Sequence, residues 1–237
     1  MRKINGSSNY LKDQTKKYLS RTVLSLLFSV LTFALICYQI MFQTRTISNL
    51  EVMGFVAALV GLLIFRFYQH KYQIYTSGQQ GENAVIKTLA NSLNDDYYII
   101  NGVYLKNRGG DIDHIVLGPT GVYVLETKNW SGKIICNGDQ WQRPGKKVKS
   151  KPSLQTKSYT QEIKRIINSS QISRRPDIWI EGLIVFTNAR ADLHVNNPTV
   201  PALRLQQLSN YIKNQKNNSL TKDQIQKIVM QIQNMQS

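Results

Sequence analysis

The apolar positions of this chain fall into two regimes. Between Arg21 and Arg45 there is no charged residue, and the run VLSLLFSVLTFALICYQIMF fills most of that interval. At about 1.5 Å rise per residue a helix over 22–42 covers the roughly 30 Å hydrocarbon core of a bilayer. The apolar core of a cleaved signal peptide is shorter, about 7–15 residues, so the run predicts a retained span. A second run, VMGFVAALVGLLIF from Val52 to Phe65, lies between Glu51 and Arg66. It reaches a full crossing over about 50–68 if Leu50, Phe67 and Tyr68 join it and the end charges extend to the interface. The alternative for this run is a buried or interfacial helix.

Positive charge orients the pair. Arg2, Lys3, Lys12, Lys16, Lys17 and Arg21 precede the first span, Arg45 stands alone in the connection, and Arg66 and Lys71 follow the second. The positive-inside rule then places both ends in the cytoplasm. The expected organisation is a basic cytoplasmic tail over 1–21, a transmembrane hairpin over 22–68 and a linker over 69–80, in a multi-pass protein of the cell's inner (cytoplasmic) membrane. The soluble part, 81–200 with C-terminal helices over 201–237, faces the cytoplasm.

From Tyr75 onward the pattern shortens. Ser77, Gly78 and Gly81 read as a linker into a helix over 81–93, where Val85, Ile86, Leu89 and Leu93 recur at helical spacing. Tyr97 to Tyr104 has the β-branched and aromatic content of a strand, and Lys106 to Gly110 reads as a loop. Two apolar runs, Asp111 to Leu117 and Val122 to Lys128, flank the turn Gly118-Pro-Thr-Gly121 and predict a hairpin. Ile134 to Cys136 and Trp141 offer a further short strand, 154–167 a helix, and Gly182 to Phe186 a buried strand. Near the end, Thr221 and Gln224 form a capping-box pattern ahead of Ile225, Ile228, Val229 and Ile232. Interleaved helices and strands predict an α/β or α+β fold with a mixed sheet flanked by helices.

The hairpin carries the chemistry. With Gly118 opposite Gly121, residues whose numbers sum to 239 oppose each other, and Asp113 meets Glu126. Opposed residues share a sheet face with Cβ atoms about 4.5–5.5 Å apart, and alternation brings Lys128 to the same face. Two adjacent carboxylates repel unless a cation sits between them, and hard oxygen donors suit Mg²⁺ or Mn²⁺. Such an ion binds phosphate and activates water, with Lys128 beside the reacting centre. The same residues also fit a solvated ion pair on an exposed face. His114 alternates to the opposite face and reads as a packed core residue, and Trp130 and Trp141 read as packing before base stacking.

Charge changes the picture in one respect. Lys and Arg number 30 against 14 Asp and Glu, giving a net charge of +16. The excess gathers in 133–175, where Lys133, Arg143, Lys146, Lys147, Lys149 and Lys151 form a basic surface suited to nucleic-acid phosphates or to anionic lipid. Cys37 lies in an apolar run and Cys136 in a polar region, which argues against a disulfide framework. His70, His114 and His194 lack the spacing of a zinc site.

Gly81-Glu82, the DIDHIVL run from Asp111, the GVYVLETKNWSGK run from Gly121 and Pro152-Ser-Leu-Gln155 resemble the nuclease-related domain family over roughly 77–195. That family is similar to the PD-(D/E)XK superfamily, which implies a restriction-endonuclease-like core. The resemblance implies that Asp113 and Glu126 are metal-binding carboxylates, that Lys128 is the catalytic lysine and that Glu82 is the acidic residue of the first helix. It places Gln155 near the site. Asp111 shares the Asp113 face as a supporting carboxylate or a solvated loop-end residue.

Three function classes follow. The first is a membrane-anchored, metal-dependent nuclease or DNA-processing enzyme that hydrolyses phosphodiester bonds of nucleic acid, DNA before RNA, with an oligomer that pairs two sites allowed by the superfamily. The second is a catalytically inactive module that binds nucleic acid or a partner. The third makes the hairpin the working part, but its spans have no ionisable residue at their centres, where a transport path usually leaves one.

Overall fold

The computed structural model describes residues 1–42, 49–105, 110–148, 150–169, 178–215 and 220–236. The chain divides into two compact units, one of Met1–Ser8 with Gln80–Ser237 and one of Asn9–Gln79. The loop expected over 106–110 lies outside the described residues except for Gly110.

The Asn9–Gln79 unit is a helical hairpin of α1 (Tyr10–Phe42) and the first part of α2 (Asn49–Ser92). Close approaches run in opposite directions along the two helices. A Cβ on Gly61 would stand 2.3 Å from Ser29 Oγ, one on Gly54 2.9 Å from Ile36, and one on Gly78 3.3 Å from Leu11. Small residues thus let the antiparallel backbones close on each other, while Leu24, Leu27, Phe28, Leu31, Leu59 and Leu63 face outward. Both helices are long and apolar enough to cross a membrane by length and composition.

Residues 69–80, expected as a linker, are helical, because α2 runs unbroken to Ser92. There is no proline in this helix to stop it, and a glycine within a helix costs only about 1 kcal/mol against alanine. Gly78 and Gly81 serve close packing instead: a Cβ on Gly81 would lie 2.8 Å from Thr187 Oγ1 and 3.2 Å from Asn129 Cβ.

The larger unit is built on a mixed six-stranded sheet in the order β1-β2-β3-β4-β7-β9. Its strands are β1 (Arg2–Asn5), β2 (Tyr98–Leu105), β3 (Gly110–Gly118), β4 (Gly121–Lys128), β7 (Ile180–Phe186) and β9 (Ala202–Arg204). β2, β3 and β4 are antiparallel neighbours, whereas β1, β7 and β9 join in parallel. A small second sheet pairs β6 (Gln140–Gln142), β5 (Gly132–Asn137) and β8 (Ala191–Asn196).

Strand alternation gives the main sheet two apolar faces. Val116, Tyr123, Leu125, Leu183 and Val185 pack beneath Val85, Leu89 and Leu93 of α2 and Leu208 and Ile212 of α4 (Leu205–Asn214). Ile115, Leu117, Val122 and Val124 pack beneath α3 (Pro152–Ser169) and α5 (Lys222–Asn234). The capping box before α5 forms, with Thr221 N donating to Gln224 Oε1 at 2.9 Å and Gln224 N to Thr221 Oγ1 at 3.3 Å. Ile225, Ile228, Val229 and Ile232 are buried behind it.

The stretch 1–21, expected as a basic tail, is instead divided. Its first residues form β1, which pairs Arg2–Asn5 with Tyr98–Asn101, and its remainder enters α1. Ile4 is the one strongly apolar side chain among Arg2–Asn5, so backbone pairing rather than side-chain pattern makes this strand.

Candidate active site on the β3–β4 hairpin

The hairpin register is the one that the turn dictates: Gly118 pairs with Gly121 and His114 with Leu125, all pairs summing to 239. Gly121 has φ +133°, where its missing Cβ lets the backbone pass Trp179 O. The ladder stops one step short of Asp113 and Glu126. On the other side of β3 the β2 ladder also skips that position, pairing Asn101 with His114 and Val103 with Ile112. Gly102, opposite Asp113, takes φ +67°. Asp113 therefore stands where both ladders open, and its Oδ2 accepts the Thr127 N–H at 2.6 Å in place of a backbone partner.

Glu126 and Lys128 remain in strand β4, which pairs with β7 over this stretch. Lys128 Nζ donates to Glu126 Oε1 in an ion pair whose side chains are 14% and 3% exposed. Glu126 Oε2 is buried without a hydrogen-bond partner among the described residues. Asp113, Glu126 and Lys128 are thus brought together beneath α3.

The electrostatics follow from two carboxylates and one ammonium away from water. Burial pushes the Asp113 acid above its ordinary range, against the opposing pull of Lys128, and Asp111 adds to the rise. Burial, then the Asp113 charge, raises Glu126 to about 8. Burial acts to lower the Lys128 ammonium, but the charges of Glu126 and Asp113 outweigh it and hold the group protonated. A cation near the carboxylates would relieve the excess negative charge.

Gln155 lies on α3 with its Nε2 3.5 Å from the Tyr159 hydroxyl. Tyr159, which the sequence reading did not single out, is buried beside the cluster, and a Cβ on Gly110 would stand 2.3 Å from its hydroxyl oxygen. Burial, together with the nearby Glu126, Asp113 and Asp111 charges, raises its phenol. The available signal was its spacing four residues after Gln155, which puts both on one helix face. Asp111 is half-buried and accepts a hydrogen bond from Ser8 Oγ. Glu82 is half-buried one residue past Gly81, on the helix that covers the opposite face of the sheet from Glu126. Among the described residues, no three His, Cys, Asp or Glu side chains gather as a metal-binding group.

His114 is fully buried on the other face, with Nδ1 2.8 Å from Asn101 Oδ1. Burial, with a smaller push from Lys3, lowers its pKa to about 3. Trp141 Nε1 donates to Ser153 Oγ at 2.8 Å, and Trp130, Trp141 and Phe186 form one aromatic cluster, so both tryptophans pack. Cys37 and Cys136 are free thiols.

Lys133, Lys146, Lys147 and Lys151 are exposed. Arg143 is half-buried, its guanidinium 4.9 Å from the Trp130 ring centre and its Nη2 donating to Ser131 O at 3.2 Å. Lys149 lies outside the described residues.

The comparisons with known proteins fall on the same region. An uncharacterized protein of Bacillus anthracis is 36% identical over 89 residues, covering 36% of this chain. The chain spans 42% of that relative's length. No solved structure matches the chain. The nuclease-related domain family model matches residues 77–187, the interval that holds Glu82, Asp113, Glu126, Lys128 and Gln155.

Proposed function

We propose that this domain is a metal-dependent nuclease that hydrolyses phosphodiester bonds of nucleic acid. Asp113 and Glu126 would hold a Mg²⁺ or Mn²⁺ ion. The observation that carries the reading is Glu126 Oε2, a carboxylate oxygen buried and unpartnered among the described residues, in a cluster with a second carboxylate and one ammonium. Two protein carboxylates fit Mg²⁺, which keeps several waters and takes its remaining ligands from substrate phosphate. When bound, such an ion neutralises phosphate charge and lowers the pKa of a coordinated water.

The chain's own residues supply the rest. The Thr127 N–H fixes the Asp113 carboxylate. Lys128, held protonated, stabilises negative charge developing on the phosphate. Gln155 and Tyr159 present an amide and a hydroxyl from α3, and the family resemblance adds Glu82 from α2. The antiparallel β2–β3–β4 meander, continued by the parallel pair β4–β7, supports a restriction-endonuclease-like core. The exposed Lys133, Lys146, Lys147 and Lys151 suit a sequence-independent grip on a phosphate backbone, with DNA as the substrate.

The apolar hairpin is proposed to anchor this domain at the cytoplasmic face of the membrane. Its outward-facing leucines support insertion. Topology supports the orientation: β1 precedes the hairpin and β2 follows it, yet they are neighbours in one sheet. An insertion with a single crossing would leave them on opposite sides of the bilayer, so both ends of the hairpin emerge on one side. The basic residues ahead of the apolar run over 22–42 support the cytoplasm as that side.

The test is cleavage of plasmid and single-stranded DNA by the full chain in detergent, with Mg²⁺, Mn²⁺ or chelator, beside Glu126→Ala and Lys128→Ala. Metal-dependent cutting that both variants lose is the expected result. A wild type that binds DNA but cuts no better than the variants would transfer the reading to a binding module.

A further inference from the structure

The segment ahead of the first apolar helix reaches the strand that carries Asp113. After the β1 ladder, Gly6 N donates to Asn101 O at 2.7 Å and Ser8 N to Gly102 O at 2.9 Å. The fit is tight on both sides. A Cβ on Gly6 would stand 2.4 Å from Gly102 O, and one on Gly102 would stand 2.6 Å from Ser8 O. Gly102 is the left-handed residue opposite Asp113, at the position that the β2–β3 ladder skips. The Ser8 hydroxyl then crosses to Asp111, two residues before Asp113 on β3. One short segment thus grips both strands at the opening from which the Asp113 side chain leaves the ladders.

We propose that Gly6–Ser8 is a clamp on this opening and that Ser8 is a positioning residue for Asp113, acting through Gly102 and Asp111. The physical reason is local. A left-handed residue in a strand interior persists only where its surroundings hold it. Here the holding groups are the Ser8 N–H, the Ser8 carbonyl wall and the Ser8–Asp111 hydrogen bond. Without them, Gly102 is free to relax toward an ordinary extended conformation and restore pairing opposite residue 113. That would draw the Asp113 carboxylate off the Thr127 N–H. The soluble part taken from residue 80 onward lacks this clamp, because Met1–Ser8 belongs to the same compact unit as Gln80–Ser237.

The proposal bears on the carboxylate site of the nuclease reading, but its primary readout does not depend on metal or catalysis. Hydrogen exchange is measured on the full chain in detergent for wild type, Ser8→Ala and Ser8→Thr, following the Thr127 amide against the Ile115 and Val124 amides. The expected result is about tenfold faster exchange at Thr127 in Ser8→Ala, the scale of one lost hydrogen bond, with Ile115 and Val124 unchanged and Ser8→Thr at the wild-type rate. Unchanged Thr127 exchange in Ser8→Ala, or a uniform rise at all three amides, would overturn it. A Mn²⁺ titration of the same proteins separates the two ideas. A several-fold weaker affinity in Ser8→Ala agrees with the clamp, whereas an intact wild-type clamp with no Mn²⁺ binding removes the metal reading and leaves the clamp standing.

Discussion

Replacing Glu126 by glutamine should stabilise the domain while removing a proposed metal ligand. Glu126 is 3% exposed, and burial, then the Asp113 charge, raises its pKa from 4.5 to about 8. A folded-state value above the unfolded one means that the folded chain prefers the protonated acid. The group's contribution is therefore fully present below the unfolded pKa and is lost as the pH rises toward 8. Over the interval from pH 4.5 to pH 7, at about 1.4 kcal/mol per pH unit, the loss is about 3 kcal/mol. Glutamine has the shape of the protonated acid and does not titrate, so Glu126→Gln escapes that loss. Lys128 keeps Asp113 as a neighbouring charge.

The assay is thermal unfolding of the full chain in detergent with chelator, read by tryptophan fluorescence. The three tryptophans, Trp130, Trp141 and Trp179, all lie outside the helical hairpin. At pH 7 the variant should melt roughly 6–12 °C above the wild type for a domain of this size. The gap should close as the pH approaches 4.5, and saturating Mg²⁺ should raise the wild type alone. A variant less stable than the wild type at pH 7, or a gap independent of pH, would refute the reasoning.

Other outcomes follow from single groups. Lys128→Ala should retain Mn²⁺ binding by calorimetry yet cut plasmid at least about 100-fold more slowly, as expected where a fixed positive group meets developing charge. His114, neutral and buried with a pKa of about 3, should make the Glu126→Gln protein lose about 1.4 kcal/mol of stability per pH unit below 6.5, because only the unfolded chain takes up the proton there. His114→Asn in that background should flatten the acid limb in urea titrations. Thr221→Ala removes the α5 cap and should cost about 1 kcal/mol in the same titrations. Lys146→Ala with Lys147→Ala should weaken DNA binding and reduce the slope of log affinity against log salt by about 2, without changing metal affinity.

Much of the larger unit was legible because its local signals agree with its tertiary environment. The glycine-bounded turn fixed the hairpin register, and helical spacing placed Val85, Leu89 and Leu93 against the sheet. The Thr221–Gln224 box marked the start of α5. The elements left unread have little pattern of their own. β1 is a polar edge strand made by backbone pairing, while β9 is three residues long and lies beyond β7. The glycines near 78–81 suggested a break because a turn and a close helix contact call for the same residue type. Only the neighbours, Leu11, Thr187 and Asn129, decide between the two.

The candidate site was legible as a set of residues but not as a geometry, and the reason lies at Asp113. Regular pairing would have set Asp113 directly across from Glu126, leaving two like charges side by side in an apolar sheet. Instead the chain opens both ladders at that step. Gly102 turns left-handed on one side, and the Thr127 N–H takes the carboxylate on the other. Neither device follows from strand periodicity, because each breaks it. The residue that makes the opening possible, Gly102, is held by a segment more than ninety positions earlier, which no local window connects to it. An interruption supported from so far along the chain turns the Asp113 carboxylate out of both ladders, and this departure from regular pairing agrees with the role proposed for that carboxylate.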